Sequence, residues 1–132
     1  MNQPDTSHGA RELPRAQDGK HRFVLRVDGA IELIERPMTM RQAQVTIGAL
    51  EGVDTVTLRH LGSSPLYVMI VDDNAYETKF IDHGNGHMEM RPVRALKPDN
   101  PKATELYHRN CHPGTTHRIA GDVYICPDED YA

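Results

Sequence analysis

The C-terminal third of the chain constrains the fold more than any other part. Asn100 suits a helix N-cap, and Pro101 suits the first helical position, where a backbone N–H would lack a helical partner in any case. A residue that precedes proline avoids helical geometry, so Pro113 predicts that the helix ends near Cys111. A turn rich in His and Cys follows, and apolar alternation then predicts a closing strand over residues 119–126.

The N-terminal half contains two further signals of local structure. An Asp-Gly pair stands between β-rich runs at residues 23–27 and 31–35 and predicts an antiparallel hairpin. Thr39 and Gln42 form a capping box. The apolar residues that follow, at three- and four-residue spacing, predict an amphipathic helix with one face on the sheet.

The middle of the chain is predicted to be a meander. Residues 66–71 are apolar on both faces, as a core strand would be, and residues 61–65 have the composition of a loop. Pro92 and Pro98 predict an unpaired connector over residues 91–99. Together these patterns predict an α+β fold: a mostly antiparallel sheet, with an N-terminal hairpin, a central meander and a C-terminal strand, carrying two helices.

The chain length of 132 residues predicts one domain. Residues 1–21 are polar and almost without apolar anchors, so they predict a flexible N-terminal arm. Residues 22–127 form the predicted globular domain, and residues 128–132 form an acidic tail.

Charge and cysteine content narrow the class of protein. A net charge of −4 and a pI near 6.0 argue against a general nucleic-acid binder. The two cysteines, without a signal peptide, predict a protein of the reducing cytosol and not a disulfide scaffold. No apolar run approaches the length of a membrane span, so we expect a soluble protein with no membrane partner.

One cluster has donors that suit zinc. His108, Cys111 and His112 lie at positions i, i+3 and i+4, and His117 would reach back from the following turn. The competing interpretation places Cys111 on the buried helix face and the histidines in water. It is favoured because no paired C-x-x-C accompanies the cluster, and zinc is kept as a less favoured hypothesis.

Other candidates have simpler explanations in turn chemistry or solvent exposure. They are the turn histidines His83 and His87 and the acidic pairs Asp72-Asp73 and Asp128 with Asp130. Cys111 beside a histidine would be a nucleophile if its thiol were reactive. Its place on an apolar helix face predicts an inert thiol instead.

A local basic stripe precedes and enters the second predicted helix. It consists of Arg91, Arg94, Lys97 and Lys102. Because cations and a helix N-terminus both favour anions, the stripe predicts binding of a nucleotide, another phosphate compound or an acidic partner. The alternative is a connector whose charges are simply solvated.

The same C-terminal third carries a resemblance. An Asn-Pro-started helix with Ala and Leu at residues 100–107, followed by an Ile-x-Gly strand at residues 119–125, resembles the ending of a small family of phage- and plasmid-borne domains, the domain of unknown function 3846 type. Junctions such as Leu50-Glu51-Gly52 and Val71-Asp72-Asp73 extend the likeness over about residues 23–126. The turn at residues 110–117 is longer and richer in His than the connection in that family.

The resemblance implies the setting of a mobile genetic element, and it brings no catalytic residues. We therefore expect a non-catalytic accessory protein that binds a host or defence-system protein, through a sheet edge and the N-terminal arm. In its most specific form this protein would be an anti-defence inhibitor. The alternatives are a module that sequesters a nucleotide or other phosphate compound, and a zinc-binding protein.

Overall fold

The computed structural model describes residues 13–63, 65–110, 114 and 117–131. Within those ranges the strands are β1 (Phe23–Leu25), β2 (Ile31–Leu33), β3 (Val53–Ser63), β4 (Leu66–Asp72), β5 (Tyr76–Asp82), β6 (Met88–Ala95) and β7 (Val123–Pro127). The helices are α1 (Met40–Ile47), α2 (Pro101–Arg109) and a short 3₁₀ helix, Asp128–Tyr131. Antiparallel pairing throughout confirms the predicted α+β fold. None of the helices in these ranges is long and apolar enough to span a membrane.

The main sheet has the strand order β2-β1-β7-β4-β3. The C-terminal strand β7 therefore lies at its centre, between β1 and β4. Val123 and Ile125 point into one core cluster, and Tyr124 and Cys126 point into the other. The predicted core strand β4 is internal, as expected, but the central position belongs to β7.

The two helices cover opposite faces of this sheet. α1 contributes Ala43 and Ile47 to the cluster that contains Tyr124. α2 contributes Ala103 and Leu106 to the cluster that contains Ile125. The result is a three-layer arrangement in which β7 is buried on both sides.

Both predicted helix starts are confirmed. Thr39 and Gln42 cap each other's backbone N–H reciprocally at α1. Asn100 accepts from the Ala103 N–H at 3.1 Å, and its side-chain amide donates to the carbonyls of Leu25 and Gly121, both at 2.9 Å. The cap of α2 thus also ties that helix to β1 and to the approach to β7.

Three predictions in the middle of the chain are wrong. The predicted central meander does not form, because β4 pairs with β3 and β7 while β5 and β6 pair only with each other among the described strands. Residues 91–95 do not form part of an unpaired connector, because β6 continues through Pro92, which lies opposite Thr78 next to a register shift. A register shift lets a strand tolerate a residue that has no N–H to donate. The predicted loop at residues 61–65 begins later, because β3 extends to Ser63.

The described parts of the predicted arm and of the predicted tail contact the rest of the domain. In the predicted arm, Ala16 and His21 are buried, so the described part of that arm, residues 13–21, belongs to the globular body. At the other end, the predicted acidic tail forms the 3₁₀ helix, and its Asp130 makes an ion pair with Arg22. These contacts join sequence-distant segments, which local composition does not reveal.

Candidate functional site

The second sheet is a hairpin of β5 and β6 that makes no strand pairing with the main sheet. Residues opposite each other in an antiparallel pair share one face, and neighbours along a strand alternate between faces. The pairing of Phe80 with Met90 and of Thr78 with Pro92 therefore defines one face. Met88, opposite Asp82, extends it towards the turn. We call Thr78, Phe80, Met88, Met90 and Pro92 the apolar face of the hairpin.

The large side chains of the apolar face are exposed to solvent. The exposed fractions are 65% for Phe80, 62% for Met90 and 54% for Met88. Exposed apolar side chains grouped on one face indicate a contact surface, whereas scattered ones are ordinary. Methionine adds adaptability, because its flexible thioether side chain fits irregular partners.

The opposite face of the hairpin carries most of its charged side chains, and several of them pair with one another. Arg91 and His83 both contact the Glu89 carboxylate, at 3.1 Å and 2.8 Å. These two contacts, from Arg91 first, hold the pKa of Glu89 below its usual value. Near the hairpin base, Arg94 pairs with Glu77 at 3.0 Å. The two strands thus separate most of their apolar side chains from most of their charged ones, with Asp82 on the apolar face and Ile81 on the charged face as the exceptions.

A cleft of about 310 Å³ separates the base of the apolar face from the body. Thr78, Met90 and Pro92 line the hairpin side of the cleft. The body side is lined by Val71 and Ile119 together with Asp54, Asp72, Asp73, Ala75, Tyr76, His117, Arg118 and Ala120. The Tyr76 hydroxyl donates to the Arg118 carbonyl at 3.0 Å and fixes the hairpin base against the body. The apolar face therefore continues into a groove.

The predicted basic stripe is divided among several elements and partners. Arg91 and Arg94 lie on β6 and pair within the hairpin. Lys97 contacts the Asp72 carboxylate and donates to the Gly48 carbonyl, and Lys102 donates to the Gly29 carbonyl at 3.2 Å. Each of the four cations thus has its own partner, and binding of a phosphate compound there stays a prediction.

The predicted metal cluster is described only in part. Cys111 and His112 lie outside the described residues. His108 Nε2 is 2.6 Å from the His117 carbonyl oxygen, so the backbone of His117, and not its ring, is what His108 contacts. Within the described ranges no group of three or more His, Cys, Asp or Glu side chains converges. The zinc hypothesis stays a prediction.

The turn histidines and acidic residues considered in the sequence make ordinary local contacts. The rings of His83 and His87 lie 5.4 Å apart at the hairpin turn. Asp72 accepts from the Asn74 N–H at 2.8 Å, which is the turn chemistry expected from the sequence. Asp130 instead binds Arg22.

The described cysteine, Cys126, is buried in the cluster beneath α1. Burial raises the pKa of its thiol to about 12, with nearby Asp130 as the next cause. A thiol with so high a pKa is almost entirely protonated at neutral pH and is a poor nucleophile. This cysteine therefore serves packing.

The apolar face was not predicted from the sequence, although a signal for it was present. Phe80 lies two residues from Thr78, and Met88, Met90 and Pro92 follow with the same period of two on the other side of the Asn85-Gly86 turn. That period predicts one shared face of a hairpin. The proline-based connector hypothesis ended the predicted strand before Pro92 and concealed the pattern.

Comparison of the chain with protein-family models, with curated proteins and with solved structures finds no match. The resemblance to the phage- and plasmid-borne family is therefore a prediction that rests on the sequence motifs alone.

Proposed function

We propose that this protein works by binding a partner protein through the apolar face of the β5–β6 hairpin, without catalysing a reaction. The observation that carries the proposal is the exposure of Phe80, Met88 and Met90 on one face of a hairpin separate from the main sheet. A two-stranded hairpin is marginally stable by itself, so a partner that covers its apolar face would also stabilise it.

The adjoining cleft supports a protein partner over a small molecule. Small-molecule sites enclose most of their ligand, whereas this surface is a protruding face that borders an open groove. Interface centres are rich in aromatic residues and methionine and poor in charge, which matches Phe80, Met88 and Met90. A bulky side chain of the partner would enter the groove beside Met90 while the partner backbone crosses Phe80.

The partner class follows from the resemblance to the mobile-element family. On that basis the partner would be a host or defence-system protein, and the protein would be an accessory factor of a phage or plasmid. The proposed surface differs from the sheet edge expected from the sequence. The sheet edges β2 and β3 are free of strand partners among the described residues, but the hairpin exposes more apolar side chain.

An affinity capture with matched variants tests the proposal. The tagged protein is compared with Phe80→Ser/Met90→Ser, which changes the apolar face, and with Lys79→Ser/Arg91→Ser, which changes the charged face of the same strands. We expect one bacterial partner to be retained by the parent protein and by the charged-face variant and to be lost by the apolar-face variant. Equal melting temperatures show that all three chains are folded.

Recovery of no specific partner, or equal recovery by the apolar-face variant, would contradict the proposal. A thermal-shift assay with nucleotides tests the alternative function in the same samples, because a ligand that binds only the folded state raises the melting temperature. A rise that disappears in Lys97→Gln/Lys102→Gln would favour the phosphate-binding hypothesis.

A further inference from the structure

A second surface, on the far side of the molecule from α2, has its own chemistry. A groove of about 620 Å³ runs between α1 and the segment that connects β2 to α1. Its lining consists of Ile34, Arg36, Pro37, Met38, Arg41, Gln42, Val45 and Thr46. Ile34 and Met38 pack against the core cluster beneath α1, so the floor of the groove is fixed to the body.

Two arginines border this groove without a partner. Arg22, Arg26, Arg91, Arg94, Arg109 and Arg118 each form an ion pair with a carboxylate. Among the residues that the structure describes, Arg36 and Arg41 have no hydrogen bond or ion pair, and both are exposed. Unpaired guanidinium groups are free to bind carboxylates in a two-hydrogen-bond geometry.

The other residues that line the groove indicate which kind of ligand fits it. Val45 is 58% exposed and, with Pro37, offers an apolar strip in the same groove as the arginines. The Thr46 hydroxyl donates to the Gln42 carbonyl at 2.7 Å, and the Gln42 side chain is held in the capping box. The side chains of Gln42 and Thr46 are therefore occupied within the chain, and the two arginines and the apolar strip remain for a partner.

We propose that the α1 groove binds an acidic peptide segment with a bulky apolar residue, its carboxylates on Arg36 and Arg41 and its apolar side chain on Val45 and Pro37. Charge complementarity is local, since the chain as a whole carries a net charge of −4 and repels acidic partners. The groove suits a phosphate ligand less well, because the Gln42 N–H at the helix start already donates to the Thr39 hydroxyl oxygen of the capping box. This inference does not depend on the hairpin surface.

Fluorescence anisotropy tests the proposal with a labelled peptide of alternating Glu and Leu and with its counterpart in which Gln replaces Glu. We expect saturable binding of the Glu peptide only. Arg36→Gln/Arg41→Gln should weaken this binding at least about tenfold, which corresponds to about 1.4 kcal/mol. Val45→Ser should weaken it less. Arg59→Gln/Lys79→Gln is the matched control, because it removes the same charge from two other cations that have no partner in the described part of the chain, and it should bind as the parent does.

Three results would overturn the proposal. They are equal binding of the Gln peptide, equal loss in the Arg59→Gln/Lys79→Gln control, and absence of saturable binding of the Glu peptide at low salt, where electrostatic contacts are strongest. Displacement of bound peptide by ATP, with ATP binding lost in Arg36→Gln/Arg41→Gln, would assign the groove to a phosphate ligand and would also overturn it.

Discussion

Single buried polar residues fix how the segments of this chain meet. Asn100 is fully buried and uses both its acceptor and its donor, so it caps α2 and holds two backbone carbonyls. His21 is buried with its ring beside Phe23 and Tyr67, and its Nδ1 lies 2.8 Å from the Pro14 carbonyl oxygen. Its Nε2 is buried without a hydrogen-bond partner among the described residues. The buried imidazole of His21 therefore makes the free energy of unfolding depend on pH.

We expect the free energy of unfolding to fall as the pH drops below the unfolded-state pKa of His21, about 6.5. Burial lowers the pKa of His21 in the folded state, so the unfolded chain binds more protons in this range and unfolding becomes more favourable. The contribution is fully present above that pKa and is lost as the pH falls towards the folded-state pKa. Urea unfolding across this range measures the slope, which for one proton is at most about 1.4 kcal/mol per pH unit.

The variant His21→Phe keeps a ring in the same place and removes the titratable imidazole. The free energy of unfolding should therefore depend less on pH in this variant. The exposed His60 supplies the control, His60→Asn, which should keep the parent slope. An unchanged slope in His21→Phe would contradict the assignment.

At the scale of elements, the described β5 and β6 pair with each other and not with the main sheet. Among the described residues, no member of the hairpin, Tyr76 included, belongs to either core cluster or packs against one as a partly buried side chain. Its register shift, between Glu77 and Thr78, lies near the base, where the hairpin leaves the body. Elements with few buried apolar contacts unfold locally at low cost, which is usual for binding elements.

Replacement of residues 77–94 by Asn-Gly should leave a folded body, because Tyr76 and Ala95 are already paired and a two-residue turn can join them. We expect the free energy of unfolding to change by less than about 1 kcal/mol, since the core clusters are untouched. Circular dichroism during urea titration measures it. Excision of residues 24–32 is the matched control and should prevent folding, because it removes Val24 and Leu25 from the two clusters. Loss of cooperative unfolding in the hairpin deletion would show that the hairpin supports the body.

At the scale of the whole molecule, the two ends of the described chain close against each other. The Arg22 guanidinium binds Asp130 through two hydrogen bonds, of 2.8 and 2.9 Å, and its remaining nitrogen binds Asp18 at 2.7 Å. The Arg22 and Asp130 side chains are only 3% and 4% exposed. A buried charge that loses its partner is costly, so this pair makes the N-terminal segment and the 3₁₀ helix depend on each other.

The substitution Asp130→Ala should lower the free energy of unfolding by about 3 kcal/mol, because it leaves the Arg22 charge buried with Asp18 alone. Chemical denaturation followed by fluorescence or circular dichroism measures the loss. Asp128→Ala, two residues away on an exposed side chain, should cost less than about 0.5 kcal/mol. Equal effects of the two substitutions would mean that the ion pair does not join the ends.

The sequence by itself determined the features that depend on neighbouring residues: the caps at Thr39 and Asn100, the Asp-Gly hairpin and the apolar character of β4. Such features follow from backbone geometry and side-chain reach within a few positions. Only the tertiary structure placed β7 at the centre of the main sheet, set β5 and β6 apart from it, and brought Arg22 to Asp130. Those outcomes depend on contacts between segments distant in the sequence, and composition or periodicity does not specify which segments meet. The candidate surfaces belong to this second group, because the exposure of Phe80 and Met90, and the lack of partners for Arg36 and Arg41 among the described residues, depend on where every other segment lies.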